Sequence, residues 1–224
     1  MFNGVYVKDI LIPLPDDPGL VERIAERRVQ APALAIEKYD FRWPEYFETF
    51  KARLLKVWQR REGGEDGQGS GLSIVAVEHI GSTSVPGLPA KAVIDIDLIL
   101  SDNTRSAESV YVPLLEEAGF QFLLREPAWY EHRFFVASEP IACNLHVFGP
   151  QCAMAERHRV FRDWLRVHEN DKELYARVKR ECAAMSNEKG EGVREYTKRK
   201  DEVVQHIMER AVSGLKQRNP RDAS

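Results

Sequence analysis

The chain has 224 residues, 43% of them hydrophobic and 30% charged, with a formal net charge of −3. Those values suit one globular domain with appended segments, and they exclude a strongly basic nucleic-acid binder. No apolar run approaches the roughly 20 residues that a membrane span needs.

Residues 1–30 read as an N-terminal extension. Asp16, Asp17 and Pro18 are expected to start a short amphipathic helix ending near Arg28. The first residues lack a basic segment followed by an apolar run, so no secretory signal is expected. Cys143, Cys152 and Cys182 have no short paired spacing and read as reduced thiols of a cytoplasmic protein. Residues 34–39 suggest a short strand. Pro44 then opens a helix to about Arg61, whose Phe47, Phe50, Leu54, Val57 and Trp58 recur at helical spacing. Residues 62–71 form a polar, glycine-rich loop. Strands are expected over 72–80 and 92–100, joined by a loop with two prolines and two glycines. Residues 106–118 fit a helix ending at Gly119. Residues 120–124, 131–138 and 141–148 read as strands, the last two paired as a hairpin through Glu139-Pro140. Helices follow over about 153–168, 171–186 and 194–216, and residues 217–224 read as a disordered tail. Strands in the middle and helices at the ends imply an α+β fold with a mixed sheet.

The chemistry centres on Asp95 and Asp97, two residues apart on an otherwise apolar strand. Period-2 geometry puts both carboxylates on one face, where they repel each other and are costly to desolvate. A divalent cation relieves both problems, and Mg²⁺ (or Mn²⁺) is commonly held by one or two carboxylates plus substrate phosphates. The alternative is a pair at a fraying strand end, bonded to backbone amides. Upstream, the strand over 72–80 runs into Gly81-Ser82. Glycine admits close approach of an anion, and backbone N–H groups with a serine hydroxyl can cradle phosphates; the alternative is an ordinary turn. The loop has no Gly-Lys-Ser/Thr step opening a helix, which rejects a Walker A loop.

The run from Val77 through Gly81-Ser82-Thr83-Ser84-Val85-Pro86-Gly87-Leu88 to Ala90-Lys91 and Ile94-Asp95-Ile96-Asp97 closely resembles the signature of the GrpB family. Tyr39-Asp40, Trp43-Pro44, the segment Asn144 to Phe148, and Tyr196 with Lys200 add weaker matches, and the resemblance spans roughly residues 34–214. It implies a nucleotidyltransferase-like mixed β-sheet flanked by helices, within a GrpB-like domain over 31–216. It implies this fold and site geometry more strongly than it implies a reaction.

Around this centre, His79 could donate to a phosphate or pin the loop, and Lys91 could be a phosphate counter-charge or a solvated lysine. Arg133 suits a bidentate phosphate contact or a salt bridge to Glu131 or another acid. Asn144 and His146 share a strand face, and His146 could be a metal ligand, a phosphate partner or a hydrogen-bonded sheet histidine. Lys200 shares a core stripe with Tyr196, Val203, Ile207 and Ala211, so it needs an anionic partner. Lys179 and Arg157 are weaker candidates for the site, since charged helix faces are usually solvated. No third carboxylate is evident. The expected function is a metal-dependent, nucleotidyltransferase-like protein using a nucleoside triphosphate with Mg²⁺ on Asp95 and Asp97, with Ser82 at the phosphates. The acceptor would be a small molecule or a protein rather than a long nucleic acid. The alternatives are a catalytically weak nucleotide- or phosphometabolite-binding module, and an interaction scaffold using the C-terminal helices.

Overall fold

The computed structural model describes residues 3–12, 18–62 and 71–218. Its frame is a six-stranded mixed sheet in the order β1-β4-β5-β6-β3-β2. The strands are β1 (Glu22–Arg23), β2 (Ile74–Ile80), β3 (Ile94–Leu100), β4 (Gln121–Glu126), β5 (His132–Ala137) and β6 (Cys143–Phe148). Only the central β3/β6 pair is parallel; the other neighbours are antiparallel. The helices are α1 (Val7–Ile10), α2 (Trp43–Glu62), α3 (Glu108–Glu117), α4 (Ala153–Val167), α5 (Glu169–Glu188) and α6 (Val193–Arg218).

Strand alternation divides the molecule. Ile94, Ile96, Leu98 and Leu100 of β3, with Leu145 and Val147 of β6, bury against α2 and α3 in the main core. The helical stripe expected from Phe47 to Trp58 enters that core, with Phe50 and Leu54 fully buried. The other sheet face, carrying Asp95, Asp97, Asn144 and His146, lies under the C-terminal helices, where α4 reaches β2 and α6 packs on α4 and α5. One face is therefore a hydrophobic core and the other a polar roofed space.

Several expectations change. Residues 18–28 are not a helix: a 3-10 turn at Pro18–Leu20 precedes β1, which pairs with β4. Asp16 and Asp17, proposed as the helix start, lie outside the described residues. Residues 34–39 hold only an isolated bridge, Glu37 with Ala90, which ties the segment to the loop ahead of β3 and not to a sheet strand. Residues 5–10 are docked rather than trailing: Val5 and Ile10 bury against Val160, Met208 and Ala211. Arg157 fixes that segment by donating to the Ile10 carbonyl at 2.9 Å. Helix α6 runs to Arg218, past the expected start of the tail; residues 219–224 and most of the 62–71 loop lie outside the described residues. All three cysteines are free and buried. Among the described residues no helix is long and apolar enough to cross a membrane.

Candidate functional site

The site begins where β2 ends beside the start of β3. Register places Ile80 opposite Asp95, which brings Gly81 against the Asp95 carboxylate. A Cβ on Gly81 would lie 2.4 Å from Asp95 Oδ2, and its φ is 69° with ψ −171°, a conformation essentially confined to glycine. Glycine is therefore required twice over at this bend. A 3-10 turn, Ser82–Ser84, follows, and Ser84 Oγ donates to the Gly81 carbonyl at 2.6 Å. From the roof, Arg162 binds Glu78 and the His79 carbonyl, while Arg166 donates to the Ser84 carbonyl. The turn is thus held from both sides.

Asp95 and Asp97 share a face, as the period-2 spacing requires, but their surroundings differ. Asp95 is half-buried and accepts a 2.8 Å hydrogen bond from Asn144, its register partner on β6. Burial raises its carboxyl pKa, against the pull of Asn144 and Lys91. Asp97 is 1% exposed, and both its oxygens face His158 Nδ1, at 2.9 and 3.2 Å. Burial works against a charge on His158; the Asp97 charge and hydrogen bond outweigh it and raise the imidazole pKa. Both Asp97 oxygens are thus occupied by a roof histidine.

Two cavities meet at Ser82, Asp95, Thr197 and Lys200 and form one cleft. The smaller lobe, about 180 Å³, is lined by Lys91, Lys179 and Lys200, with Asp95 its one acidic wall residue. Among the described residues none of these lysines forms an ion pair with a carboxylate. Lys179 is 2% exposed and donates to the Pro89 carbonyl at 2.6 Å. Burial pushes its pKa well down, with Lys200 adding to the effect, and burial likewise lowers that of Lys91. Lys200 packs over the Tyr196 ring, 4.1 Å from its centroid. The larger lobe, about 590 Å³, has apolar walls from Ile80, Met154, Phe161, Tyr175 and Met208, with His146, His158 and Arg157 among its polar members.

The structure therefore brings Gly81, Ser82, Lys91, Asp95, His146, Tyr196 and Lys200 to one cleft. Besides Asp97, closed off beneath His158, two expected ligand residues lie elsewhere. Arg133 is fully buried on the opposite sheet face, opposite Val147, and is paired with Glu108 and Glu131. His79 also points away from the aspartates: it stacks on Phe47 at 4.8 Å and hydrogen-bonds Thr83 Oγ1, which in turn donates to the Val93 carbonyl. Its role is to pin the loop, and burial with nearby Arg166 and Arg162 holds its pKa down to about 3. Lys179 and Arg157, the weaker candidates, are buried rather than solvated. Lys179 could have been found by its stripe, since Tyr175, Ala176, Cys182 and Ala183 surround it at helical spacing. His158 carried no local sequence signal.

Asp95 fits Mg²⁺ as an oxygen ligand open to the cleft, whereas Asp97, closed off and bonded to His158, does not fit as it stands. Among the described residues no group of three or more His, Cys, Asp and Glu side chains forms a metal seat.

The family model described as GrpB protein matches residues 33–210. A UPF0157 protein of Halalkalibacterium halodurans is 38% identical over 199 residues, covering 89% of this chain and 93% of the relative. A UPF0157 protein of Streptomyces coelicolor is 34% identical, covering 81% and 86%. The crystal structure of the conserved protein GrpB from Enterococcus faecalis shares the fold, with a TM-score of 0.60 at 22% identity, covering 81% of this chain and 99% of that one. The chain belongs to the GrpB family.

Proposed function

We propose that the cleft binds a nucleoside triphosphate and that the protein acts as a nucleotidyltransferase-like enzyme on an acceptor taken up beside it. The observation that carries this reading is the joining of a three-lysine lobe to an apolar lobe at Ser82 and Asp95. Three ammonium groups without carboxylate ion pairs, Lys179 buried and Lys91 and Lys200 half-buried, favour a polyanion, and the larger lobe has room and apolar walls for a nucleoside. Lys91, Lys179 and Lys200 would neutralise the phosphates, and the Gly81-Ser82 bend would lie against them. Asp95 would hold Mg²⁺ with the phosphates supplying its other ligands, and the bound cation would offset charge developing on the transferred group.

A second reading, a nucleotide-binding module without turnover, is favoured by one specific feature. Asn144 occupies the strand position beside Asp95, and His158 occupies Asp97, so the pair lacks the free carboxylates of a two-metal site. Calorimetric titration of ATP with and without Mg²⁺, alongside pyrophosphate release, separates the two readings. Mg²⁺-dependent binding that Asp95→Asn weakens, with pyrophosphate release in the presence of acceptor, supports the enzyme. Binding without release supports the module. Absence of binding for every nucleoside triphosphate refutes both.

A further inference from the structure

A chain of side chains leads from the end of β4 to the wall of the larger lobe and takes no part in the reading above. Glu126 at the end of β4 places Oε2 2.6 Å from His132 Nδ1. His132 Nε2 in turn lies 3.0 Å from His146 Nδ1. The two imidazoles are stacked, with centroids 5.1 Å apart and planes 22° from parallel. His132 is 3% exposed, sandwiched by Phe148 at 4.8 Å and met edge-on by Trp129 at 5.0 Å, so its ring cannot turn freely.

Hydrogen-bond logic fixes the protons along this chain. Burial raises the Glu126 carboxyl pKa; in its ionised form the carboxylate only accepts, so His132 carries its proton on Nδ1. A neutral His132 then has a lone pair on Nε2, and His146 must donate to it from Nδ1. Burial, with the neighbouring positive charges, holds both imidazoles down to about 3, so both are neutral near pH 7. His146 is left with a bare Nε2 on its other edge, and the residue lines the apolar lobe. A bare nitrogen accepts hydrogen bonds and is repelled by a phosphate oxygen, which also only accepts.

We infer that Glu126 and His132 are positioning residues that lock His146 as its Nδ1–H tautomer, so that the imidazole edge available to the cleft receives a hydroxyl or amine N–H of the bound nucleotide and none of its phosphates. The inference rests on the reading of the cleft as a nucleotide site. It removes His146 from the phosphate partners and makes it a selector for the nucleoside end. The lysine lobe, on the far side of Asp95, is left to the phosphates.

The test is long-range ¹H–¹⁵N correlation on the labelled full chain at pH 7.5, alone, with tripolyphosphate, and with ATP and Mg²⁺. In the free protein His132 and His146 are both expected as Nδ1–H tautomers, against the Nε2–H form that free histidine prefers. Glu126→Val is expected to shift His146 toward Nε2–H. Should that variant fail to fold, the wild-type tautomer alone decides. ATP is expected to move the His146 Nε2 resonance while tripolyphosphate moves only lysine side-chain signals. An Nε2–H tautomer for His146 in the wild type, or a tautomer unchanged in folded Glu126→Val, overturns the inference. So does an Nε2 response to tripolyphosphate, or none to ATP while the lysines respond. If the lysines respond to neither ligand, the nucleotide reading fails, and the tautomer measurement still decides the role of Glu126 and His132.

Discussion

Replacing Lys179 by methionine separates a lysine kept for a ligand from one kept for the fold. The ammonium is 2% exposed; it donates to the Pro89 carbonyl at 2.6 Å and lies over the Tyr175 ring, 5.3 Å from its centroid. Its pKa is driven well down by burial. Holding that ammonium away from water costs the fold stability relative to an ordinary, solvated lysine. Methionine has nearly the same length and no charge to desolvate, and it leaves only the Pro89 carbonyl short of a donor, a loss of about 1 kcal/mol. Lys179→Met is therefore expected to stabilise the protein by about 1–3 kcal/mol, raising Tm by roughly 2–4 °C per kcal/mol for a chain of this size. The pH dependence has a definite sign. With the folded pKa depressed, the unfolded chain binds the extra proton, so wild-type stability rises from pH 7 toward pH 10, and the variant's curve is flatter there. The ligand effect runs the other way. A polyanion pulls the lysine's pKa back up, and losing one charge-assisted hydrogen bond of about 1.5–3 kcal/mol weakens tripolyphosphate binding by roughly 10- to 100-fold. Thermal scans across pH, with calorimetry in buffers of different ionisation enthalpy, measure both. A variant that is less stable yet binds tripolyphosphate as tightly as the wild type refutes the reasoning.

Gly81→Ala is expected to cost about 1–3 kcal/mol of backbone strain and to displace the Asp95 carboxylate, which lies 2.4 Å from the added Cβ. Denaturant melts would show the first effect and loss of Mg²⁺-dependent nucleotide binding the second. His79, with its pKa held to about 3, stabilises the fold fully above its ordinary pKa near 6.5. That contribution falls as pH drops toward 3, by about 2 kcal/mol at pH 5; denaturant midpoints at pH 7 and 5 should differ less in His79→Gln. His158 has the opposite sign: its pKa is raised, so its contribution is complete below about 6.5 and fades as pH climbs through the folded value, a dependence that Asp97→Asn should abolish. Arg133→Met removes a fully buried guanidinium from Glu108 and should destabilise by about 3 kcal/mol, while folded protein keeps its nucleotide affinity.

The architecture was legible where a single period settled the matter. The apolar spacing from Phe47 to Trp58 marked a core helix, and the i, i+2 placement of Asp95 and Asp97 put both on one face beside the Gly81 bend. Sequence alone could not show which residues on other strands share that face. A place on the strand beside the His146 strand left Arg133 open to a phosphate contact or a salt bridge to Glu131 or another acid; the β5/β6 register sets it opposite Val147, toward the main core, where it pairs with Glu108 and Glu131. His79 lies one residue out of phase with Ile80, and that single step turns it from the aspartates to Phe47. His158 reaches Asp97 from a roof helix 61 residues away, a contact no local pattern announces. Lys179 was legible by the same stripe logic applied to Lys200, and its polar helix surroundings hid it.

The decisive measurement is a crystal structure of the full chain with a non-hydrolysable nucleoside triphosphate and Mn²⁺, the metal located by its anomalous signal. Phosphate oxygens should lie within hydrogen-bond reach of the Lys179 and Lys200 ammonium groups beside Gly81-Ser82, with the metal on Asp95. A nucleotide seated anywhere else, with the three-lysine lobe filled by solvent alone, would contradict the account.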